Sequence, residues 1–300
     1  MAIAGDMGTT ATAPTAYAAG ARAMRIGPAP RLAVEYAGAG PLVVFLHGIG
    51  GDRSTWAPQI EAFSERFCVA AWDARGYGDS DDYDGPLDFA DMADDLAHLL
   101  DAFAVDRAHL VGLSMGGRIC LEFCVHHAHR IATLTLAGVQ ARFAAFDETA
   151  RREYLDVRRR RLIDEGLSPA DIAPDVIGRL IAPGASDEAR RRAVAGMSRL
   201  HTGSYLKTLE ATTRFDREHV LGDIAVPTLA IGGEHDPLTP PDLVRSIADR
   251  IPGAEHHMIY GAGHLSNLEH PVEFNRLLDG FLARYRERAN TALDPALLET

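Results

Sequence analysis

The pentapeptide Gly112-Leu-Ser-Met-Gly116 constrains the fold of this chain more than any other stretch of its sequence. An apolar run that is typical of a buried strand precedes it (residues 109–113), and a run typical of a helix follows it (residues 118–129). Such a strand-to-helix turn is sharp and strained, and a side chain on either side of Ser114 would collide with the neighbouring strand or helix. The pattern therefore predicts a nucleophile elbow, which holds the serine hydroxyl exposed at the top of a sheet.

The residues that a reactive serine needs follow Ser114 in the chain. A serine hydroxyl is a poor nucleophile at neutral pH, so a histidine must accept its proton and a carboxylate must hold that histidine in the right tautomer. Asp236 comes just after the strand-like run 227–234, and His264 comes just after the strand-like run 256–260. The order serine, acid, histidine differs from the orders of chymotrypsin and subtilisin. We therefore predict Ser114, Asp236 and His264 as the catalytic residues.

Two neighbouring side chains offer alternatives for the acid and the base. Glu234 could replace Asp236 as the acid. His235 lies beside Asp236 in the chain, so it could not reach the serine with that carboxylate behind it. His264 is therefore the predicted base, and Glu234 is kept as the second choice for the acid.

Five short motifs distributed over the chain carry a family resemblance. They span roughly residues 31–285 and read Phe45-Leu-His-Gly-Ile-Gly50, Asp73-Ala-Arg-Gly-Tyr-Gly-Asp-Ser80, Gly112-Leu-Ser-Met-Gly-Gly117, Gly232-Gly-Glu-His-Asp236 and Gly261-Ala-Gly-His-Leu-Ser-Asn-Leu-Glu269. With them the chain resembles the α/β-hydrolases, and within these the lid-bearing subgroup of 3-oxoadipate enol-lactonases, ring-fission-product hydrolases and cofactor-free haloperoxidases. The resemblance implies an α/β-hydrolase fold, in which helices flank a mostly parallel sheet and a helical lid is inserted. It fixes a style of reaction better than a substrate.

An oxyanion hole must accompany a serine nucleophile. The negative oxygen of a tetrahedral intermediate needs two N–H donors in a dry site, and loss of one donor typically costs about 2.7–4 kcal/mol of barrier. One donor is the backbone N–H that follows the nucleophile, which is that of Met115. The second should come from residues 47–51, after a strand that ends at Leu46. The family resemblance assigns it to Ile49, although the glycines of this loop could equally serve a turn.

Short runs rich in β-branched residues and leucine alternate with helix-like segments along most of the chain. Such runs are expected of strands buried on both faces, and strands separated by helices imply a parallel sheet with right-handed crossovers. An additional edge strand is expected at residues 31–37. The strand-like runs are residues 42–46, 69–72, 110–113, 132–136, 228–231 and 258–260, with helix-like segments at 91–103 and 242–250.

The alternation stops between residues 139 and 215, where arginine-rich amphipathic stretches replace it. A structureless loop of this length is uncommon in a compact domain, so we predict a lid. The lid carries a net charge of +3 and the rest of the chain −15, which favours anionic substrates if the arginines face the cleft rather than solvent. The predicted division is a disordered tail (1–24), an α/β core (25–138 and 216–288), the helical lid (139–215) and a C-terminal tail (289–300).

Aromatic and basic residues are candidates for the substrate pocket. Trp56 and Phe143 are candidates for its wall, and each could instead be plain packing. Arg142, Arg151 and Arg158 are candidates for binding a substrate carboxylate, with solvated helix faces as the alternative. Helical periodicity does not reveal which lid side chains reach the pocket.

The composition argues against several other classes of protein. The net charge of −12 argues against a nucleic-acid partner, and the sequence lacks a run of eighteen apolar residues that could span a membrane. Cys68, Cys120 and Cys124 are too few for a disulfide framework, so we expect a reducing, cytoplasmic location, with Cys120 and Cys124 as small core residues rather than metal ligands. Residues 1–24 lack the pattern of a signal peptide, and Met24 is an alternative start. The oligomeric state is left open, a homo-oligomer included.

Together these residues predict a serine hydrolase of a small molecule that needs neither a metal ion nor an organic cofactor. The first choice of reaction is hydrolysis of a carboxylic ester or lactone of a carboxylate-bearing metabolite, such as an enol-lactone from aromatic breakdown. Hydrolysis of a carbon–carbon bond in a ring-fission product is the second choice, and hydrolysis of an amide or formyl-amide is the third. Serine at position 114 argues against the haloalkane dehalogenases and epoxide hydrolases, which carry aspartate there. A ligand receptor without catalysis is the alternative from another class, and the intact set of catalytic residues argues against it.

Overall fold

The structure of the chain, a computed structural model, describes residues 15–143 and 147–294. Eight strands run through these residues: β1 (Arg22–Ile26), β2 (Leu32–Ala37), β3 (Leu42–Leu46), β4 (Cys68–Trp72), β5 (Ala108–Leu113), β6 (Ile131–Ala137), β7 (Thr228–Gly233) and β8 (Glu255–Ile259). They form one sheet in the order β1-β2-β4-β3-β5-β6-β7-β8. The pairs β1–β2 and β2–β4 are antiparallel, and the five remaining pairs are parallel. The predicted mostly parallel sheet is confirmed.

Helices cover both faces of this sheet, which explains why its central strands are apolar along their whole length. Successive side chains of a strand point to opposite faces, so Val43 and Phe45 of β3 join one core and Val44 joins the other. The first core packs under two helices (Ala57–Phe63 and Pro271–Tyr285), and the second packs under two others (Phe89–Ala102 and Met115–His127). The α-helices of the described residues are α1 (Ala57–Phe63), α2 (Phe89–Ala102), α3 (Met115–His127), α4 (Glu148–Arg159), α5 (Pro169–Leu180), α6 (Asp187–Ser198), α7 (Thr202–Arg214), α8 (Pro241–Arg250), α9 (Ser266–Glu269) and α10 (Pro271–Tyr285).

The segment between β6 and β7 contributes α4 to α7 and, among its described residues, no strand of the sheet. Local signals set the bounds of α5 in particular. The side chain of Ser168 accepts a hydrogen bond from the N–H of Asp171, whose carboxylate in turn accepts from the N–H of Ser168, and Pro169 takes the first helical position. After Leu180 the chain becomes extended at Ile181, and this stretch runs toward the carboxyl edge of the sheet.

The prediction of a disordered tail over residues 1–24 is wrong for the part that the structure describes. Arg22 to Met24 belong to β1, which lies antiparallel to β2 at the edge of the sheet. The backbone N–H groups of Tyr17 and Ala18 donate hydrogen bonds to the buried carboxylate of Glu35, at 2.8 and 2.6 Å. Strand pairing and this carboxylate supply the order that the polar composition of the segment does not reveal. Residues 1–14 of the predicted tail lie outside the described residues.

The predicted C-terminal tail, residues 289–300, is attached to the body over its described part. The N–H of Leu42 donates to the carbonyl of Asn290, and the N–H of Ala292 donates to the carbonyl of Gly40. Residues 295–300 lie outside the described residues. Across residues 15–143 and 147–294, every helix is too short or too polar to cross a lipid bilayer.

Candidate active site

Ser114 lies at the sharp turn between β5 and α3. Its φ of 54° is in the left-handed region that residues with a side chain rarely adopt, and its N–H donates to the carbonyl of Ala137 at 2.9 Å. The flanking glycines are required by space. A Cβ atom on Gly112 would lie 2.5 Å from backbone atoms of Gly116, and one on Gly116 would overlap the carbonyl of Leu46 at the end of β3. The turn therefore presents Ser114 beyond the carboxyl ends of the parallel strands, where ligands of such sheets bind.

His264 and Asp236 form a buried hydrogen-bonded pair next to this turn. His264 Nδ1 lies 2.7 Å from Asp236 Oδ2, and both residues are only 4% exposed. Asp236 Oδ1 also accepts the N–H groups of Leu238 (2.8 Å) and Thr239 (2.9 Å), and the Thr239 hydroxyl donates to Oδ2. Burial alone would raise the pKa of Asp236, but the hydrogen bonds and charge of His264 and the Thr239 donors outweigh it and hold that pKa below its ordinary value. Asp236 is thereby held ionised, and its carboxylate accepts the Nδ1–H of His264.

The nucleophile turn and the histidine pair meet at the end of β6. A Cβ atom on Gly138, which directly follows Ala137, would lie 3.3 Å from both Asp236 Oδ2 and the ring of His264. Ser114 and His264 line one cavity of about 390 Å³. Ser114 Oγ makes no hydrogen bond to His264 within the described part of the chain, and such contacts are often longer in a free enzyme than in its complex with substrate. The three residues that the sequence predicts as catalytic are thus gathered at one edge of the sheet.

The loop after β3 lies against the nucleophile and is held by a neutral histidine. The N–H of Ala74 donates to His47 Nε2 at 3.1 Å, so the proton of the ring is on Nδ1, which donates to the carbonyl of Gly48 at 2.8 Å. Burial lowers the pKa of His47, which keeps the ring neutral. A Cβ atom on Gly48 would lie 3.3 Å from Ser114 Cβ. His47 therefore fixes this loop at the nucleophile.

Two backbone N–H groups at this point suit the predicted oxyanion hole. Ile49 lines the cavity, and Met115 is the first residue of α3, where a helix has N–H groups without an acceptor inside the helix. Neither N–H donates a hydrogen bond to another of the described residues. Their assignment as the two donors stays a prediction.

The cavity has a mostly apolar lining that includes three arginines. Each of the four helices between β6 and β7 contributes to it, together with the loops after β3, β5, β7 and β8. Arg158, Arg161 and Arg179 line its wall, and of these only Arg158 was a candidate from the sequence. Its apolar lining includes Leu113, Leu162, Ile172, Val176, Ile177, Met197, Leu209 and Leu265.

The prediction of Trp56 as a pocket residue is wrong. Trp56 is fully buried in the core under α1 and α10, where its ring stacks on Phe45 at 4.9 Å and contacts Phe274 at 6.0 Å between centroids. It is not among the described residues that line the cavity. Its position ten residues after the end of β3 does not reveal which face of the sheet it covers.

Phe143, Arg142 and Arg151 are likewise not among the described residues that line the cavity. The ring of Phe143 packs edge-on against Tyr154, which does line the cavity, so Phe143 supports the wall from behind. Arg142 is about half exposed and pairs with Asp216 at 3.4 Å, and the guanidinium of Arg151 pairs with Glu148 one turn away on α4. These arginines lie in ion pairs outside the cavity.

Glu234, the second choice for the acid, and His235, which was rejected as the base, make contacts with other residues. Glu234 accepts the N–H of Gly261 at 2.8 Å, and His235 lies 3.6 Å from the carboxylate of Glu234. Neither residue is among the described residues that line the cavity.

Known proteins resemble the chain over most of its length. The model of the Alpha/beta hydrolase family matches residues 43–277. A relative from Azorhizobium caulinodans, provisionally named carbamate hydrolase RutD, is 33% identical over 82% of this chain and 93% of its own. The 3-oxoadipate enol-lactonase 1 of Acinetobacter baylyi is 28% identical over 81% of this chain and 88% of its own. Among solved structures, a thermophilic esterase from Thermogutta terrifontis with malate bound has a TM-score of 0.80 at 28% identity, covering 88% of this chain and 99% of that one.

Proposed function

The chain belongs to the alpha/beta hydrolase family and is a hydrolase, and from this premise we propose that it cleaves a carboxylic ester or enol-lactone of a small anionic metabolite through an acyl-enzyme on Ser114. The observation that carries the proposal is the Asp236–His264 pair, joined at 2.7 Å and lining with Ser114 a single cavity. The similarity to an enol-lactonase and to an esterase supports this bond type.

Acylation begins with a proton transfer. Asp236 holds the Nδ1–H of His264, so the lone pair of Nε2 is free to accept the proton of Ser114 Oγ. The oxygen of Ser114 attacks the substrate carbonyl carbon, and the carbonyl oxygen becomes an oxyanion held by the N–H groups of Ile49 and Met115. When this intermediate collapses, the bond from carbon to the leaving oxygen breaks and that oxygen takes the proton from His264.

Deacylation repeats these steps with water as the nucleophile. His264 accepts a proton from the water, the hydroxyl adds to the acyl carbon, and the bond from that carbon to Ser114 Oγ breaks as His264 returns the proton to the serine. The products are a carboxylic acid and an alcohol, or a single keto acid when the substrate is an enol-lactone whose enol tautomerises. His264 carries every proton transfer of acylation and deacylation.

The cavity supports a substrate with an apolar body and an anionic end. The lining from α5, α6 and α7 is mostly apolar, whereas three guanidinium groups, those of Arg158, Arg161 and Arg179, lie among the lining residues. Arg158 stacks on the ring of Tyr154 at 3.4 Å, and Arg161 is paired with Asp175 at 3.2 Å. Arg179 is exposed and makes no ion pair with another described residue. A substrate carboxylate near these guanidinium groups would be attracted by the local excess of positive charge.

Replacing Arg158 with glutamine is expected to lower kcat/KM for an anionic ester about tenfold, since a hydrogen bond to a charged group is worth roughly 1.5–3 kcal/mol. A neutral ester of the same size should be cleaved as by wild type. Arg159→Gln is the matched control, because Arg159 is the next residue of α4, is exposed and is not among the described cavity residues. An equal loss for both esters, or the same loss in the control, would count against an anion site at Arg158.

A second candidate bond is the carbon–nitrogen bond of a carbamate or amide. The relative provisionally named carbamate hydrolase RutD favours this candidate. The same nucleophile, base and oxyanion donors would cleave it, with His264 protonating a leaving nitrogen instead of an oxygen. The two candidates therefore differ only in the substrate that is turned over.

Initial rates on a substrate panel test the proposal. The panel contains short p-nitrophenyl esters, a muconolactone-type enol-lactone, a carbamate, a formyl-amide and a ring-fission dienoate, each measured with wild type and Ser114→Ala. We expect kcat/KM to be highest for an ester or the enol-lactone, and the turnover to require Ser114. Preference for the carbamate or formyl-amide would move the assignment to carbon–nitrogen bonds, and preference for the dienoate would move it to carbon–carbon bonds. If no substrate is turned over in a Ser114-dependent way, the protein would instead be a ligand receptor without catalysis.

A further inference from the structure

Glu269, the last residue of α9, gathers three backbone N–H groups around its carboxylate. Oε2 accepts from Ala182 at 2.7 Å and from Gly263 at 2.9 Å, and Oε1 accepts from Leu265 at 3.0 Å. The residue is only 7% exposed. Three backbone N–H groups donate to the two carboxylate oxygens. This arrangement suits an ionised carboxylate, because each hydrogen bond is then charge-assisted.

The three donors come from two parts of the chain that this carboxylate joins. Gly263 and Leu265 are the neighbours of His264 on either side, whereas Ala182 follows α5 in the segment between β6 and β7. Glu269 therefore accepts from the residue before the histidine and from the residue after it, and it joins both to a segment 87 residues away in the chain.

A second set of contacts joins the same two segments without Glu269. The N–H of His264 itself donates to the carbonyl of Leu180 at 2.8 Å. Gly263 is packed so closely that a Cβ atom there would lie 2.6 Å from both the nitrogen of Ala182 and the carbonyl oxygen of Leu180. The end of α5 thus rests directly on the histidine loop.

Helix α9 also reaches the opposite side of the cavity. Asn267 is fully buried and donates from Nδ2 to the carbonyl of Thr55 at 2.9 Å, while Gln59 Nε2 donates to the carbonyl of Asn267 at 3.1 Å. Thr55 lines the cavity just after the predicted oxyanion loop. One short helix therefore holds the histidine loop, the end of α5 and the turn that follows the oxyanion loop.

We propose that Glu269 is a positioning residue for the hydrolysis. It ties the His264 loop to the end of α5, so the imidazole is aligned only when the α4–α7 segment covers the cavity. The inference rests on the proposed function of His264 as the base. If the stretch 180–182 withdraws, Glu269 loses one donor and the N–H of His264 loses its acceptor. The second loss falls on the backbone of His264 itself, and the first falls on the carboxylate that accepts from its two neighbours, Gly263 and Leu265.

Glu269→Gln tests this role because it keeps the size of the side chain and changes only its hydrogen-bonding. The glutamine oxygen can accept as one carboxylate oxygen does, but its NH2 group would face a backbone N–H donor. A displacement of about 1 Å at a reacting group can cost about 100-fold in rate. We expect kcat on the best panel substrate to fall about 100-fold while KM stays within about twofold of wild type.

Glu122→Gln is the matched control. Glu122 is also a buried carboxylate, with Arg217 at 2.7 Å and His126 at 3.0 Å as its partners, and it is not among the described residues that line the cavity. We expect this variant to keep the kcat of wild type even where its thermal stability falls. A merely structural role of Glu269 would lower stability in the same way and leave kcat unchanged.

Gly263→Ala disturbs the same junction from the other side and decides the test if Glu269→Gln does not fold. Its methyl group would push the end of α5 away from the histidine loop, and the same fall in kcat is expected. Wild-type kcat in Glu269→Gln, or in Gly263→Ala where it alone folds, would overturn the positioning role. An absence of Ser114-dependent turnover in wild type would instead overturn the proposed function, so the two failures are distinguishable.

Discussion

Replacing Ser114 with alanine is expected to lower kcat on the best substrate by about a million-fold, the effect of removing the nucleophile from a serine hydrolase whose other catalytic groups remain. The methyl group of alanine occupies the place of Cβ at the same backbone, whose φ of 54° is set by Gly112 and Gly116 and not by the hydroxyl. The variant should therefore fold as wild type does and bind substrate with a similar affinity. Single-turnover rates and equilibrium binding of the same substrate measure the two effects separately.

The control for this variant is another buried serine. Ser204 on α7 donates to Asp82 at 3.1 Å and is not among the described cavity residues, so Ser204→Ala should keep wild-type kcat. A Ser114→Ala variant that keeps more than about one hundredth of wild-type kcat would mean that water or another side chain attacks the carbonyl.

Replacing Asp236 with asparagine is expected to lower kcat by about 10⁴-fold. Asp236 Oδ2 accepts the Nδ1–H of His264, and an asparagine amide that turned its NH2 group to that nitrogen would favour the tautomer with the proton on Nε2. His264 could then no longer accept the proton of Ser114. The residues that line the cavity remain in place, so KM should change little, and steady-state kinetics on one ester measures kcat and KM separately.

The pH dependence of stability gives an independent check on the same carboxylate. The pKa of Asp236 in the folded protein lies below its ordinary value, so the ionised form stabilises the fold above the ordinary pKa of aspartate, and this stabilisation is lost as the pH falls through the lower folded value. The difference in unfolding free energy between wild type and Asp236→Asn should thus be constant from neutral pH to about pH 4 and shrink only below it. A difference that already disappears between pH 7 and pH 5 would contradict an ionised, hydrogen-bonded Asp236.

The positions of the predicted catalytic residues followed from the sequence because they are tied to strands. The glycines on either side of Ser114 are required locally, because a Cβ atom at either position would lie 2.5 Å or less from neighbouring backbone atoms. Asp236 and His264 are far from Ser114 in sequence, but each follows a parallel strand, and the carboxyl ends of parallel strands meet at one edge of a sheet. The strand of residues 42–46 was predicted with the bounds that β3 has in the structure.

The cavity wall could not be predicted in the same way. Its lining includes Tyr154 on α4 and Leu209 on α7, and which face of each helix turns inward depends on how the four helices pack on one another. Hydrophobic periodicity identifies an apolar face but not what that face covers. Trp56 shows the same limit on a smaller scale, since its size indicated an apolar contact and only the fold shows that the contact is with Phe45 and Phe274.

Glu269 was visible in a sequence motif but had no role until the fold was known. Its donor Ala182 is 87 residues away, in a stretch without a motif of its own. Likewise, the order of residues 15–24 depends on pairing with β2 and on the Glu35 carboxylate, which composition alone does not reveal.

The central claim is that Ser114 is the activated nucleophile of the cavity, and intact-mass spectrometry after incubation with a fluorophosphonate tests it most directly. The account predicts one covalent adduct per chain, located on Ser114 by peptide mapping, lost in Ser114→Ala and formed much more slowly in Asp236→Asn. An active wild-type protein that forms no adduct, or one that carries the adduct on another residue, would contradict it.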